Sequence, residues 1–183
     1  MKKKMIMITI VLSIAFAVAL PVYLVMKNEI TETIAITIGV TLYHFAVRLA
    51  IGYSVDGIMK NNANPNNAWF REKKFEAKFY KFIRIRKWKK HLPTYSPSTF
   101  DPNGKTVEEI VGATCQAEVV HEVIMVFSLI PIAFIPLLGA PWAFIITSIL
   151  AMLFDSLFVL LQRYNRPKLI RVMKRFAKIP KQG

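Results

Sequence analysis

Four stretches of this 183-residue chain are almost empty of charge, and each is long enough to cross a bilayer. Residues 5–26 carry none, and residues 33–55 carry only Arg48. Residues 110–138 carry Glu118 and Glu122, with His121 between them, and residues 139–161 carry only Asp155. A helix rises ~1.5 Å per residue and needs ~20 mainly apolar residues to cross the hydrocarbon core. The pattern predicts an all-α polytopic integral membrane protein. Its single domain over 1–183 has four transmembrane helices at about 5–26, 33–55, 109–135 and 141–162. Lys2, Lys3 and Lys4 before the first block resemble a signal-peptide n-region, and small residues at Ala15, Ala17 and Ala19 suit cleavage. A signal h-region runs only ~7–15 residues, however, so a retained helix is the reading.

The same charges orient the spans. Lys+Arg is 25 against 11 Asp+Glu, a net +14. In a chain that is 54% apolar this argues against nucleic acid and for polybasic segments facing anionic lipid. Three Lys precede the first span, one lies in 27–32, twelve Lys/Arg lie in 56–109, none near 136–141, and eight from Arg163 on. This alternation places both termini and the 56–108 segment in the cytoplasm. The single Cys115 excludes an intramolecular disulfide and a cysteine-built metal site.

Between the second and third spans the sequence changes character. Helix 2 is expected to begin after Thr31-Glu32-Thr33 and to run to about Tyr53. Asn61, Asn62, Asn64, Pro65, Asn66 and Asn67 carry strong turn chemistry. Ala68–Lys90 interleaves aromatics with Lys and Arg, and Phe75, Phe79 and Phe82 fall on one helical face, so a basic amphipathic helix in the headgroup plane is predicted. A solvated basic helix packing its aromatics on the bundle is the alternative. Pro93, Pro97 and Pro102 make His91–Asn103 a loop. Thr106 and Glu109 match a capping box that starts helix 3. Pro131 and Pro136 kink or end that helix, and Pro167 is expected to stop helix 4.

Ionisable groups inside spans are costly and mark function. Arg48, Glu118, His121 and Asp155 all fall roughly 10–18 Å from the cytoplasmic boundary by helical rise. That shared depth predicts one polar pocket open to the cytoplasmic leaflet. Its polar residues include Glu122 and, at the helix 4 terminus, Gln162, Arg163, Tyr164, Asn165 and Arg166, with Trp88 holding the interface. The plain alternative is a set of buried ion pairs, such as Arg48 with Asp155, that fixes helix packing. His121 beside two carboxylates has the makings of a general base, with Glu118 orienting it. His44 reads as a packing residue and Cys115 as a small filler. The E-x-x-H spacing of Glu118 and His121 lacks supporting ligands, so no metal is assigned.

Three segments in fixed order carry a family resemblance: Lys87-Trp88-Lys89-Lys90-His91-Leu92-Pro93, Ala117-Glu118-Val119-Val120-His121, and Gln162-Arg163-Tyr164-Asn165-Arg166-Pro167. Over roughly 70–170 the chain resembles the glycosyl-4,4'-diaponeurosporenoate acyltransferase family of small bacterial membrane proteins. The resemblance implies a multi-pass protein of the bacterial cell membrane. It would transfer a fatty acyl group from a soluble donor such as acyl-CoA, with no resident cofactor, to a hydroxyl of a glycosylated isoprenoid or other amphipathic lipid. Arg163 and Arg166 would then bind donor phosphates or the developing oxyanion. The rival readings are a non-catalytic lipid-binding or lipid-transporting bundle, and an accessory subunit of an envelope-lipid complex.

Overall fold

The computed structural model describes residues 2–92, 97–101 and 103–176. Pro93 and Pro102 of the proline-rich loop, and residues 177–183 of the basic tail, lie outside the described residues. Among the described residues seven α-helices follow in order: α1 (Lys2–Met26), α2 (Glu29–Met59), α3 (Glu76–Phe82), α4 (Ile85–Trp88), α5 (Val107–Phe127), α6 (Ile135–Leu138) and α7 (Pro141–Phe176). Short 3₁₀ turns lie between them, and no strand occurs among the described residues. Four segments are long and apolar enough to cross a membrane: α1, α2, Val107–Leu138 and Pro141–Arg175. The protein is an all-α membrane protein.

Contacts divide the chain into two compact units, Met1–Ser54 with Glu122–Ser156, and Val55–His121 with Leu157–Gly183. In the first unit, α1 buries none of its residues, and Met7, Ile10, Val11, Ile14 and Val18 stay exposed. That surface suits lipid rather than water. Gly39 lets α2 approach Phe16, since a Cβ there would stand 2.8 Å from the ring. Pro131 has no N–H to offer the carbonyl of Phe127 four residues back. The Tyr43 hydroxyl donates to that carbonyl instead, at 2.9 Å, where α5 ends. The chain then continues as a 3₁₀ turn over Ile130–Phe134 and the short α6.

α2 begins earlier than its threonines suggest. Asn28 Oδ1 accepts from Thr31 N at 2.9 Å, a side-chain cap that starts the helix at Glu29. The helix also runs on past Tyr53 to Met59.

The second unit holds the Asn-rich turn, where Asn64 and Asn67 side chains accept from Asn66 N and Trp69 N. Thr106 and Glu109 form the reciprocal capping box: Glu109 Oε2 accepts from Thr106 N at 2.8 Å, and Thr106 Oγ1 accepts from Glu109 N at 3.2 Å. Gly112 on α5 admits the carbonyl of Asn61, which a Cβ would meet at 2.4 Å. Gln116, one turn on, fixes the same contact by accepting from Asn61 N at 2.6 Å and donating to Asp56 at 2.9 Å.

Two expectations are corrected here. Ala68–Lys90 is not one amphipathic helix but a 3₁₀ turn, α3, α4 and a second 3₁₀ turn. Arg84 adopts the left-handed region, φ 51°, which breaks the helix and turns Ile85 inward, where it is buried. Phe82 on α3 is 84% exposed and Phe75 at its N-cap 63%, while Glu76 and Tyr80 are buried. Pro167 does not stop the last helix, which continues through it to Phe176. A helix-interior proline costs about 3 kcal/mol. The side chains just before it are held by the polar network described next.

Candidate functional site

The residue around which the second unit organises its charge is Glu118 on α5, which is fully buried. Arg163 Nη1 donates to its Oε1 at 2.6 Å, and Arg166 Nη2 donates to its Oε2. Arg163 also donates from Nε and Nη2 to Glu76 Oε1, at 3.0 and 2.5 Å. Further donors of both arginines meet a row of carbonyls exposed by the turn at Ala68–Phe70. Arg163 reaches Trp69 O and Arg71 O, and Arg166 reaches Phe70 O, each at 3.1 Å. Arg166 completes its shell with Thr114 Oγ1 and Thr114 O, and its guanidinium stands 4.9 Å from the Phe70 ring centroid. Asn67 caps the turn by accepting from Trp69 N, and this points the carbonyls at α7.

The network pairs two carboxylates with two guanidiniums, so its formal charge is zero. Such a group is stable in low dielectric only when every member is satisfied. The bonded donors of Arg163 and Arg166 are thus directed to protein acceptors. Glu76 and Thr114 carry no motif, and sequence reasoning passes over them. The one signal for Glu76 is that it and Glu72 are the only acids among the cations of Ala68–Lys90. Tyr80 extends the network by donating to Glu76 Oε2 at 2.9 Å. Burial first, and then that bond, push its hydroxyl pKa above the ordinary value, so it stays a neutral donor.

His121 follows Glu118 by three residues on α5. Its half-buried ring stacks on Phe158 of α7 with centroids 4.6 Å apart and planes 11° from parallel. Tyr164 and Asn165 accept from the basic segment, Tyr164 Oη from Arg86 Nε at 3.0 Å and Asn165 Oδ1 from Lys89 Nζ at 3.1 Å. Trp88 folds its indole N–H back to Ile83 O at 3.0 Å, and Gln162 is buried. Cys115 is buried as well.

In the first unit, Arg48 donates to Asp155, and to the carbonyls of His44 and Ala151 at 3.0 and 3.3 Å. Asp155 is 1% exposed, and Glu122 is half-buried. Both ring nitrogens of His44 are buried without a hydrogen bond among the described residues. The candidate residues thus form two groups, one in each unit. Among the described residues, no three His, Cys, Asp or Glu side chains are arranged to hold a metal ion.

The sequence profile of the glycosyl-4,4'-diaponeurosporenoate acyltransferase family, CrtO, matches residues 66–175. The chain belongs to this family. The match takes in Trp88, Glu118, His121 and the Gln162–Pro167 segment, and all four members of the arginine–carboxylate network. Arg48 and His44 precede it. No curated protein and no solved structure matches the chain.

Proposed function

We propose that this protein is a membrane O-acyltransferase acting on a glycosylated isoprenoid or similar amphipathic lipid, with His121 as its general base. The observation that carries this reading is a histidine inside the segment matched to an acyltransferase family, its ring plane set by stacking on Phe158. An acceptor hydroxyl attacks the carbonyl carbon of an acyl thioester such as acyl-CoA. The hydroxyl proton passes to a ring nitrogen of His121 as the new C–O bond forms. The C–S bond breaks, and the departing thiolate takes the proton back from the imidazolium. The products are an acylated lipid and a free thiol.

Glu118 acts as a positioning residue. Locked by Arg163 and Arg166, it fixes the face of α5 that presents His121 one turn further on. Glu122 and Gln162 are assigned to acceptor recognition by their places in the chain beside His121 and Arg163. The reading places the protein in the bacterial cell membrane with both termini and the basic segment cytoplasmic, on the side where a soluble acyl donor is made. Deleting the gene from a producing strain tests it. The strain should lose an acylated glycolipid and accumulate the form with a free hydroxyl. An unchanged lipid profile would remove the reading.

A further inference from the structure

Arg163 directs all five of its donors, and Arg166 four of its five, to protein acceptors, so phosphate recognition falls to other cations. The second unit supplies them around a cavity of about 420 Å³ between the α3–α4 segment and the end of α7. Lys81, Arg84, Lys87, Lys168 and Arg171 line it with Tyr80, beside a sixth cation, Arg86, whose Nε is taken by Tyr164, and Glu72 is its one carboxylate. None of these five cations makes an ion pair among the described residues. Lys168 lies over the Tyr164 ring, 3.2 Å from its centroid. A concave surface with this many like charges repels itself, and an anion relieves the repulsion. The volume lies in the range of small-molecule sites, ~300–1,000 Å³. Two of these five, Arg84 and Arg171, are guanidiniums, whose planar forks match phosphate oxygens. Arg84 holds its left-handed backbone at the junction of α3 and α4, where the chain bends around the cavity.

The cavity is also wired to the network. Tyr80 donates to Glu76, Glu76 accepts from Arg163, and Arg163 donates to Glu118, three residues before His121. We propose that this cavity takes the phosphate-bearing end of the soluble acyl donor, a nucleotide-like polyphosphate whose thioester carries the acyl chain. The assignment rests on the acyltransferase reading for the donor's role, while the phosphate chemistry of the cavity stands apart from it.

The test is binding rather than turnover. Full-length protein in a neutral detergent is titrated with desulfo-coenzyme A, which has the phosphates but no thiol to acylate. Saturable binding that weakens with salt is expected, reduced at least ~10-fold in Arg84→Gln/Arg171→Gln. It should persist in Lys174→Gln/Arg175→Gln, an equal charge change at exposed residues outside the cavity. His121→Ala should bind like the parent. No binding, or an equal loss in both double variants, would overturn the site. Bicelles of phosphatidylglycerol in phosphatidylcholine are the competing arm. If these displace the probe while pure phosphatidylcholine does not, the cavity is a headgroup site and the donor assignment fails. Binding without turnover on any acceptor would sink the transferase reading alone. Turnover that Arg84→Gln/Arg171→Gln leaves untouched would sink the cavity alone.

Discussion

Glu118→Gln is the substitution that most directly probes how the second unit is held together. It keeps the shape of the side chain and removes one charge. Arg163 retains Glu76 as a counter-charge, at 2.5 Å. Arg166 does not: its remaining acceptors are Thr114 Oγ1, Thr114 O and Phe70 O, all neutral, and it is 1% exposed. Removing one partner of a buried ion pair costs about 3–5 kcal/mol, because the other charge is stranded. For a chain of this size each kcal/mol moves the melting midpoint by roughly 2–4 °C, so a fall of roughly 6–20 °C is expected. Cys115 provides the assay. It is the one cysteine, buried beside Thr114, so a fluorogenic maleimide reacts with it only as this region opens. A midpoint within ~2 °C of the parent would refute the reasoning, since Arg166 would then need no carboxylate. The paired change Glu118→Leu/Arg166→Met should recover most of the loss, because a buried ion pair replaced by apolar groups is often neutral or stabilising.

Other outcomes follow from single contacts. Arg48→Ala leaves Asp155 buried without its guanidinium and should destabilise by about 3 kcal/mol or more, with partial recovery in Arg48→Ala/Asp155→Ala; thermal unfolding by circular dichroism measures both. Gly112→Ala drives a methyl against the carbonyl of Asn61 and should cost ~1–3 kcal/mol, seen as faster Cys115 labelling. Tyr43→Phe strands the Phe127 carbonyl and should cost about 1 kcal/mol by the same thermal measurement. In a Cys115→Ala background, a cysteine placed at Gly139 should be labelled by an impermeant maleimide from outside the cell and one placed at Asn64 should not; labelling at Asn64 alone would reverse the orientation.

The parts of the fold that local chemistry dictates could be read directly from the residues. Exclusion of charge over some 20 positions has few explanations other than a spanning helix. The capping box at Thr106 and Glu109 is complete within four residues, so its geometry needs nothing from the rest of the chain. The failures lie where distant residues decide. Pro167 should end a helix by its own chemistry, yet α7 continues through it, with Arg163 and Arg166 anchored to Glu76, Thr114 and Glu118, between 45 and 87 residues away. The left-handed Arg84 has no glycine or asparagine to announce it, and it breaks a segment whose aromatic spacing alone favours one helix. Glu118 was legible as important because it sits in an apolar block. The other acceptors of its network were not, because Glu76 lies in a charged segment and four of the acceptors are backbone carbonyls.

The account's central claim is that His121 removes the proton from the acceptor hydroxyl. Purified protein with a radiolabelled acyl-CoA and a mixture of glycolipid acceptors measures this directly. His121→Ala should lose acyl transfer by ~10²-fold or more, the usual scale for a missing general base, while its Cys115-labelling midpoint stays close to the parent's. His121→Gln should fall as far, since it keeps polarity without a titratable nitrogen. Equal acylated product from the parent and His121→Ala, both folded, would contradict the claim and leave the chain a lipid-binding bundle.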